Sequence, residues 1–207
     1  MMMNQALALL EFNSVAAGVL AVDRMLKQAP IALLRCGSVH PGRYLVLVGG
    51  SVASTEEAHA AGVQSACDQG GLVDEILLAD PHPLLAAAVT GKRSAPRGES
   101  VGVFEVSTSP GLLRSVDAAL KGVPVDLVEI RLADDLGGQA LAIFDGSLPD
   151  VQEALVLAGG RLGDCAVVCG SSLLPRVDET LREVLTEGTR FMACEARAPE
   201  GAEMVEG

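Results

Sequence analysis

The chain has 207 residues, of which 49% are hydrophobic and 20% charged, so it can pack a core as one domain or two small ones. Aromatic residues make up 2% and Trp is absent, which argues against a base-stacking nucleic-acid platform. The formal net charge of −12 repels both nucleic acid and an anionic membrane surface.

The first residues, Met1–Gln5, carry no basic side chain and no cleavage signature follows them, so no secretory signal is expected. Ala6–Phe12 reads as an apolar strand. Ser14 can cap a helix running to about Ala29, with Val15, Val19, Val22 and Leu26 on one stripe. Ile31–Val39 reads as a strand, His40-Pro41-Gly42 as a tight turn and Arg43–Val48 as the return strand. Ser54-Thr55-Glu56-Glu57 has the form of a capping box opening a second helix. Gly70-Gly71 ends that helix, Leu72–Ala79 is a fourth strand, and a short helix follows Pro81. No apolar run approaches the roughly 20 residues that span a bilayer.

The same order then repeats. Leu9-Leu10-Glu11 is echoed by Val103-Phe104-Glu105 at an offset of 94, and Asp23, Lys27 and Pro30 meet Asp117, Lys121 and Pro124 at that offset. After a two-residue insertion the offset is 96: Gly42 meets Gly138, Gly50 meets Gly146 and Glu57 meets Glu153. Near the end Pro81 is matched with Pro175, at 94 again. An ordered series of this kind marks a duplication. The halves span about 5–91 and 100–187, joined by the polar linker Gly91–Ser100, and 188–207 is an acidic tail expected to fray or drape on the surface. In the second half Ser109-Pro110 is read as cap and first helical position. The fold class is therefore α+β, a tandem duplication of a ferredoxin-like β-α-β-β-α-β unit with antiparallel sheets.

Motifs for catalysis are lacking. Gly37-Ser38-Val39-His40-Pro41-Gly42-Arg43-Tyr44 has P-loop glycine spacing, but Arg43 and Tyr44 replace the Lys and the Ser or Thr. The segment after it reads as a strand, so a β-turn is expected. Cys165 and Cys169, placed on a strand, would lie about 13 Å apart, too far to share a metal, and are read as core or interface residues. With Cys36, Cys67 and Cys194 they make five, an odd and scattered set that predicts a reducing compartment and no disulfide framework. His59 is expected mid-helix and His82 in a turn. No enzyme is expected. The alternative function is a trimeric small-molecule-binding regulatory protein of ferredoxin-like fold; it calls for a glycine- and basic-rich cleft, and none stands out.

The opening ALALLEFNSVAAGVLAVDRMLKQAPIALL, the loop SVHPGRYLVLVGG and the close LADPHPLL resemble the bacterial microcompartment shell domain. Two unpermuted copies in one chain resemble the tandem-domain, trimer-forming shell proteins, above all the trimeric propanediol-utilisation type. The resemblance implies a structural shell protein in the cytoplasm: a homotrimeric, pseudohexameric tile that abuts other shell proteins edge to edge, with a central pore for small metabolites. It places Ser38, Val39, His40, Pro41 and Gly42 at the pore, with Leu136, Gly137 and Gly138 from the second half. It places Lys27, Lys121, His82 and Arg176 at the tile edge. In the propanediol-utilisation type, the residue before Pro-Gly in this turn is a Cys that holds an iron–sulfur cluster. Here it is His40, so no such cluster is expected, because these clusters take Cys ligands; a His40 ring would bind metal only adventitiously.

Overall fold

The computed structural model describes residues 5–191 together with Cys194, Glu195 and Arg197; the rest of the tail lies outside the described residues. The first half runs β1 (Ala6–Phe12), α1 (Val15–Gln28), β2 (Ala32–Val39), β3 (Arg43–Gly50), α2 (Val52–Gln69), β4 (Leu72–Ala79) and α3 (Pro83–Ala88). The second runs β5 (Ser100–Val106), α4 (Ser109–Gly122), β6 (Asp126–Leu132), β7 (Ala140–Gly146), α5 (Leu148–Gly159), β8 (Val168–Leu174) and α6 (Glu179–Glu187). Each half builds a four-stranded sheet, β2-β3-β1-β4 and β6-β7-β5-β8, and every pairing is antiparallel. This is the ferredoxin-like order that the repeat predicts.

Strand alternation sorts the core. In β1, Ala8, Leu10 and Phe12 face α1 and α2, packing with Ala21, Met25, Val46 and Val48. Leu7 and Leu9 face the other way and join Leu45, Leu47, Ile76 and α3. That second cluster continues into the other half through Leu112, Leu113, Val116 and Leu120 of α4. The largest core of the protein is thus shared between the halves. Close helix packing relies on glycine: a Cβ at Gly62 of α2 would lie 2.9 Å from Leu10 Cδ2 and 2.8 Å from Met25 Sδ.

Three local expectations are corrected. The cap of α2 is Ser51, three residues before the proposed capping box, and its hydroxyl accepts from Ser54 N at 3.2 Å. The cap of α4 is Thr108, whose Oγ1 accepts from Gly111 N at 3.1 Å, so Ser109 is already helical. The pairings Leu7–Leu78 and Val101–Leu174 keep the offset at 96 through β8, not 94. His82 and Asp178 are then counterparts, each capping the helix after the last strand, and Arg176 corresponds to Asp80. The Pro81–Pro175 match was a coincidence of composition in a short connecting segment.

The linker is fastened to the second sheet. Asp145 accepts from the backbone N–H groups of Arg97 and Gly98 at 2.6 and 2.7 Å, and Arg182 donates to Gly98 O at 2.8 Å. A Cβ on Gly98 would fall 2.6 Å from the Gly146 backbone nitrogen and oxygen. Backbone cannot give way as a side-chain tip can, so Gly98→Ala should destabilise the chain by about 1–3 kcal/mol, read as a lowered denaturation midpoint; an unchanged midpoint would contradict this packing.

Candidate functional site

Two features stand out: the junction between the halves, and the pair of turns at one end of the sheets. The junction is built on the N-terminus of α4, where free N–H groups and the helix dipole attract negative charge. Half one supplies two carboxylates. Glu11, wholly buried in β1, accepts from Ser109 N at 2.7 Å and is paired with Arg43, which also donates to Ser107 O at 3.1 Å. Asp74 of β4 accepts from the Thr108 hydroxyl at 2.5 Å. Burial pushes the Glu11 carboxyl above the usual carboxylate range, against the opposing pull of Arg43 and the Ser109 N–H. Arg114, one helical turn further along α4, donates to Leu162 O and Glu75 O at 2.6 and 2.8 Å. Glu75 in turn meets His59 Nε2 at 2.5 Å, so His59 is a satisfied helix residue as expected.

Lys121 and His82 belong to this junction. Asp117 of α4 accepts from His82 N at 2.8 Å and from Lys121 Nζ at 2.6 Å, and Lys121 also donates to Asp80 O at 2.8 Å. Lys27, the counterpart of Lys121, is exposed and pairs with Asp23 on its own helix at 2.7 Å. Arg176 is exposed at the end of β8. The structure therefore brings Lys121 and His82 to one corner and leaves Lys27 and Arg176 elsewhere on the surface.

Of the apolar stripe assigned to α1, Val22 is partly buried against its own core, and Val15, Val19 and Leu26 face away from it. Gly18, Ala21 and Met25 face that core, while Val19 is 51% and Leu26 44% exposed. Their counterparts in α4, Leu113 and Leu120, are 0% and 6% exposed, because α4 packs on β4 and β1 of the other half as well as on its own sheet. One helix face of the same design is thus covered in α4 and bare in α1. At the opposite end of the chain, β8 presents exposed Val168, preceded by exposed Val167. Cys165 and Cys169 are exposed too, with Cys165 in the bend before the strand, so neither is a core residue of the chain. For Cys169, on β8, the exposure follows from that strand having no helix on the side where β4 has α4.

The two turns lie side by side. Ser38, Val39, His40, Pro41 and Gly42 close the β2–β3 hairpin, with His40, Pro41 and Gly42 exposed and Gly42 at φ +74°. Leu136, Gly137 and Gly138 close the β6–β7 hairpin, with both glycines at positive φ. A Cβ on Gly138 would lie 3.1 Å from Pro41 Cδ, so the turns touch. Asp134 and Asp135 at the base of the second turn are held by Arg190. The P-loop-like segment is thus a hairpin, with no helix after it to receive a phosphate. The residues at the turns do not fit an iron–sulfur cluster: no Cys lies on either turn, and Cys36 is within β2. Among the described residues no three His, Cys, Asp or Glu side chains gather as a metal site.

Comparison with known proteins gives the same picture. The BMC domain matches twice, over residues 6–81 and 100–177. The bacterial microcompartment shell protein PduT of Citrobacter freundii is 32% identical over 90% of this chain and 100% of its own length. The carboxysome assembly protein CcmO of Synechocystis is 26% identical, over 91% of this chain and 67% of its own. A crystal structure of a microcompartment protein from Desulfitobacterium hafniense superposes with a TM-score of 0.73 at 28% identity, covering 86% of this chain and 98% of that one. No helix of the described residues is long and apolar enough to cross a membrane. The chain belongs to the bacterial microcompartment shell-protein family, as a tandem of two BMC domains with a structural and not an enzymatic role.

Proposed function

We propose that three copies of this chain close into a pseudohexameric tile of a microcompartment shell in the cytoplasm, with the paired turns around a central pore for small metabolites. The observation that carries this reading is the contrast between α4 and α1. The chain contains one complete junction, α4 against β4 and β1, and one unpaired copy of each side of it: the bare face of α1 and the uncovered side of β8. Joining α1 of one copy to β8 of the next is a head-to-tail contact, which ends in a ring when the rotation closes. Three chains supply six halves. The trimeric small-molecule regulator is the weaker reading: it would use the same α1 face, but both halves match the BMC domain and the chain is similar to a shell protein over 90% of its length.

Val19 is exposed in the single chain, so Val19→Asp leaves the fold intact and places a charge in the contact between copies. Sedimentation of the native protein at micromolar concentration should give a trimer, and the variant should shift to monomer. A native monomer, or a variant that stays trimeric, would overturn the ring.

In the ring, Lys27 stands where Lys121 stands in the internal junction, at the outer corner beside the segment that holds Arg176. Lysine stems there can pack against a neighbouring tile. Lys27 is exposed and pairs with Asp23 of its own helix, so Lys27→Ala, which adds no opposing charge to the contact between copies, should keep the trimer yet lose sheets in electron micrographs. Sheets of unchanged extent would remove Lys27 from the tile edge.

At the axis, three His40 side chains line the opening in place of the thiolates that an iron–sulfur cluster needs. Protein purified without oxygen should carry no stoichiometric iron or sulfide, and His40→Ala should alter the permeability of assembled shells while the trimer persists. Stoichiometric iron and sulfide would refute this assignment of the pore.

A further inference from the structure

A cavity of about 280 Å³ opens between the halves, beside β2 and β6. Its floor is apolar: Leu9, Leu45 and Leu47 from the first sheet, and Ile130 from the second. Three arginines line it as well, Arg35 from β2, Arg131 from β6 and Arg190 from beyond α6. One carboxylate, Asp134, shares the lining; in a chain of net charge −12, three cations against one anion run against the overall field.

The three guanidiniums are not equally occupied. Arg190 bridges Asp134 and Asp135. Arg35 donates to a backbone carbonyl, Thr90 O at 3.0 Å. Arg131 donates to Asp134 O at 2.8 Å and to the Thr189 hydroxyl at 3.2 Å, while its Nε is buried without a partner. Among the described residues neither Arg35 nor Arg131 has a carboxylate within ion-pair distance, although half two is rich in them. Burial, with Arg190 and Arg93 nearby, pulls Arg131 below the usual arginine value, against the opposing pull of Glu129 and Asp134. Guanidinium forks recognise carboxylates and phosphates by paired, charge-assisted hydrogen bonds. The apolar floor adds burial energy for a short hydrocarbon segment, and the volume lies at the small end of ligand pockets.

We propose that this cavity binds a small organic anion, with its carboxylate or phosphate on Arg35 and Arg131 and its aliphatic body against Leu45, Leu47 and Ile130. The site lies within one chain and does not depend on ring closure. Its wall includes Ser38 and Val39, which lead into the first turn, so a bound anion would rest against the base of that turn.

Gly37 offers a test that leaves every charge in place. It lines the cavity, and a Cβ built there meets nothing within 4 Å, so Gly37→Leu should fold and fill the space. Isothermal titration of the full chain at low ionic strength would compare butanoate with 1-butanol and inorganic phosphate. Butanoate should saturate at one per chain, and the other two should bind at least about 10-fold more weakly, since each lacks one of the two recognition elements. Gly37→Leu should abolish the butanoate heat, and Arg35→Gln and Arg131→Gln should each weaken it about 10-fold or more, a loss in the range of one charge-assisted hydrogen bond. Arg161→Gln, an exposed arginine outside the cavity, should leave it unchanged. Circular dichroism establishes that each variant is folded. The proposal is overturned by absence of saturable butanoate binding, by binding that survives in folded Gly37→Leu, or by phosphate or 1-butanol binding as tightly as butanoate.

Discussion

The architecture depends on how the N-terminus of α4 is received by the first half. Helix ends leave N–H groups without intrahelical partners, and here Glu11 and Asp74, both from half one, meet that end of α4: Glu11 takes up the Ser109 N–H, and Asp74 holds the hydroxyl of the capping Thr108. A buried carboxylate is costly unless paired, and Arg43 is the pairing cation. Because the contact is polar and directional, it fixes the angle between the halves; the apolar cluster through Leu113, Val116 and Leu120 then supplies the bulk of the burial. Lys121 and Asp117 close the far end of the same helix onto Asp80 and His82.

The second half keeps the scaffold of this contact without its polar detail. The counterpart of Glu11 is Glu105, but strand register puts Gly170 where half one has Asp74, and Gln139 precedes β7 where half one has Arg43. A contact made through α1 and β8 would rest more on apolar surface, with Val15, Val19 and Leu26 on one side and Val167 and Val168 on the other. Sequence drift between duplicated halves has thus left a junction rich in charge inside the chain and a greasier surface at each end.

The order of strands and helices was legible because hydrophobic alternation and glycine stops are local signals, and Gly70-Gly71 ended α2 where expected. The duplication was legible through Asp23–Lys27 and Asp117–Lys121, which keep the same helical spacing. Burial was not. Val15, Val19, Val22 and Leu26 form an apolar stripe that reads as core, yet of these Val22 alone packs against it, and α1 packs closely through Gly18, Ala21 and Met25, where Gly and Ala give little hydrophobic signal. Caps were misplaced where several hydroxyl residues compete, as at Ser51 and Ser54 or Thr108 and Ser109; the choice is settled by which backbone N–H each can reach. The cavity left no trace in the sequence, since Arg35 and Arg131 come from different halves and line one cavity only in the folded chain.

The claim on which the rest turns is that the surface left bare on α1 is the partner of the side left bare on β8. Cryo-electron microscopy of the purified protein tests it most directly. Particles of three chains with a pseudo-sixfold outline are expected, α1 of each lying against β8 of the next and the paired turns meeting at the centre. Particles of one chain, or a ring with α1 facing solvent, would contradict it.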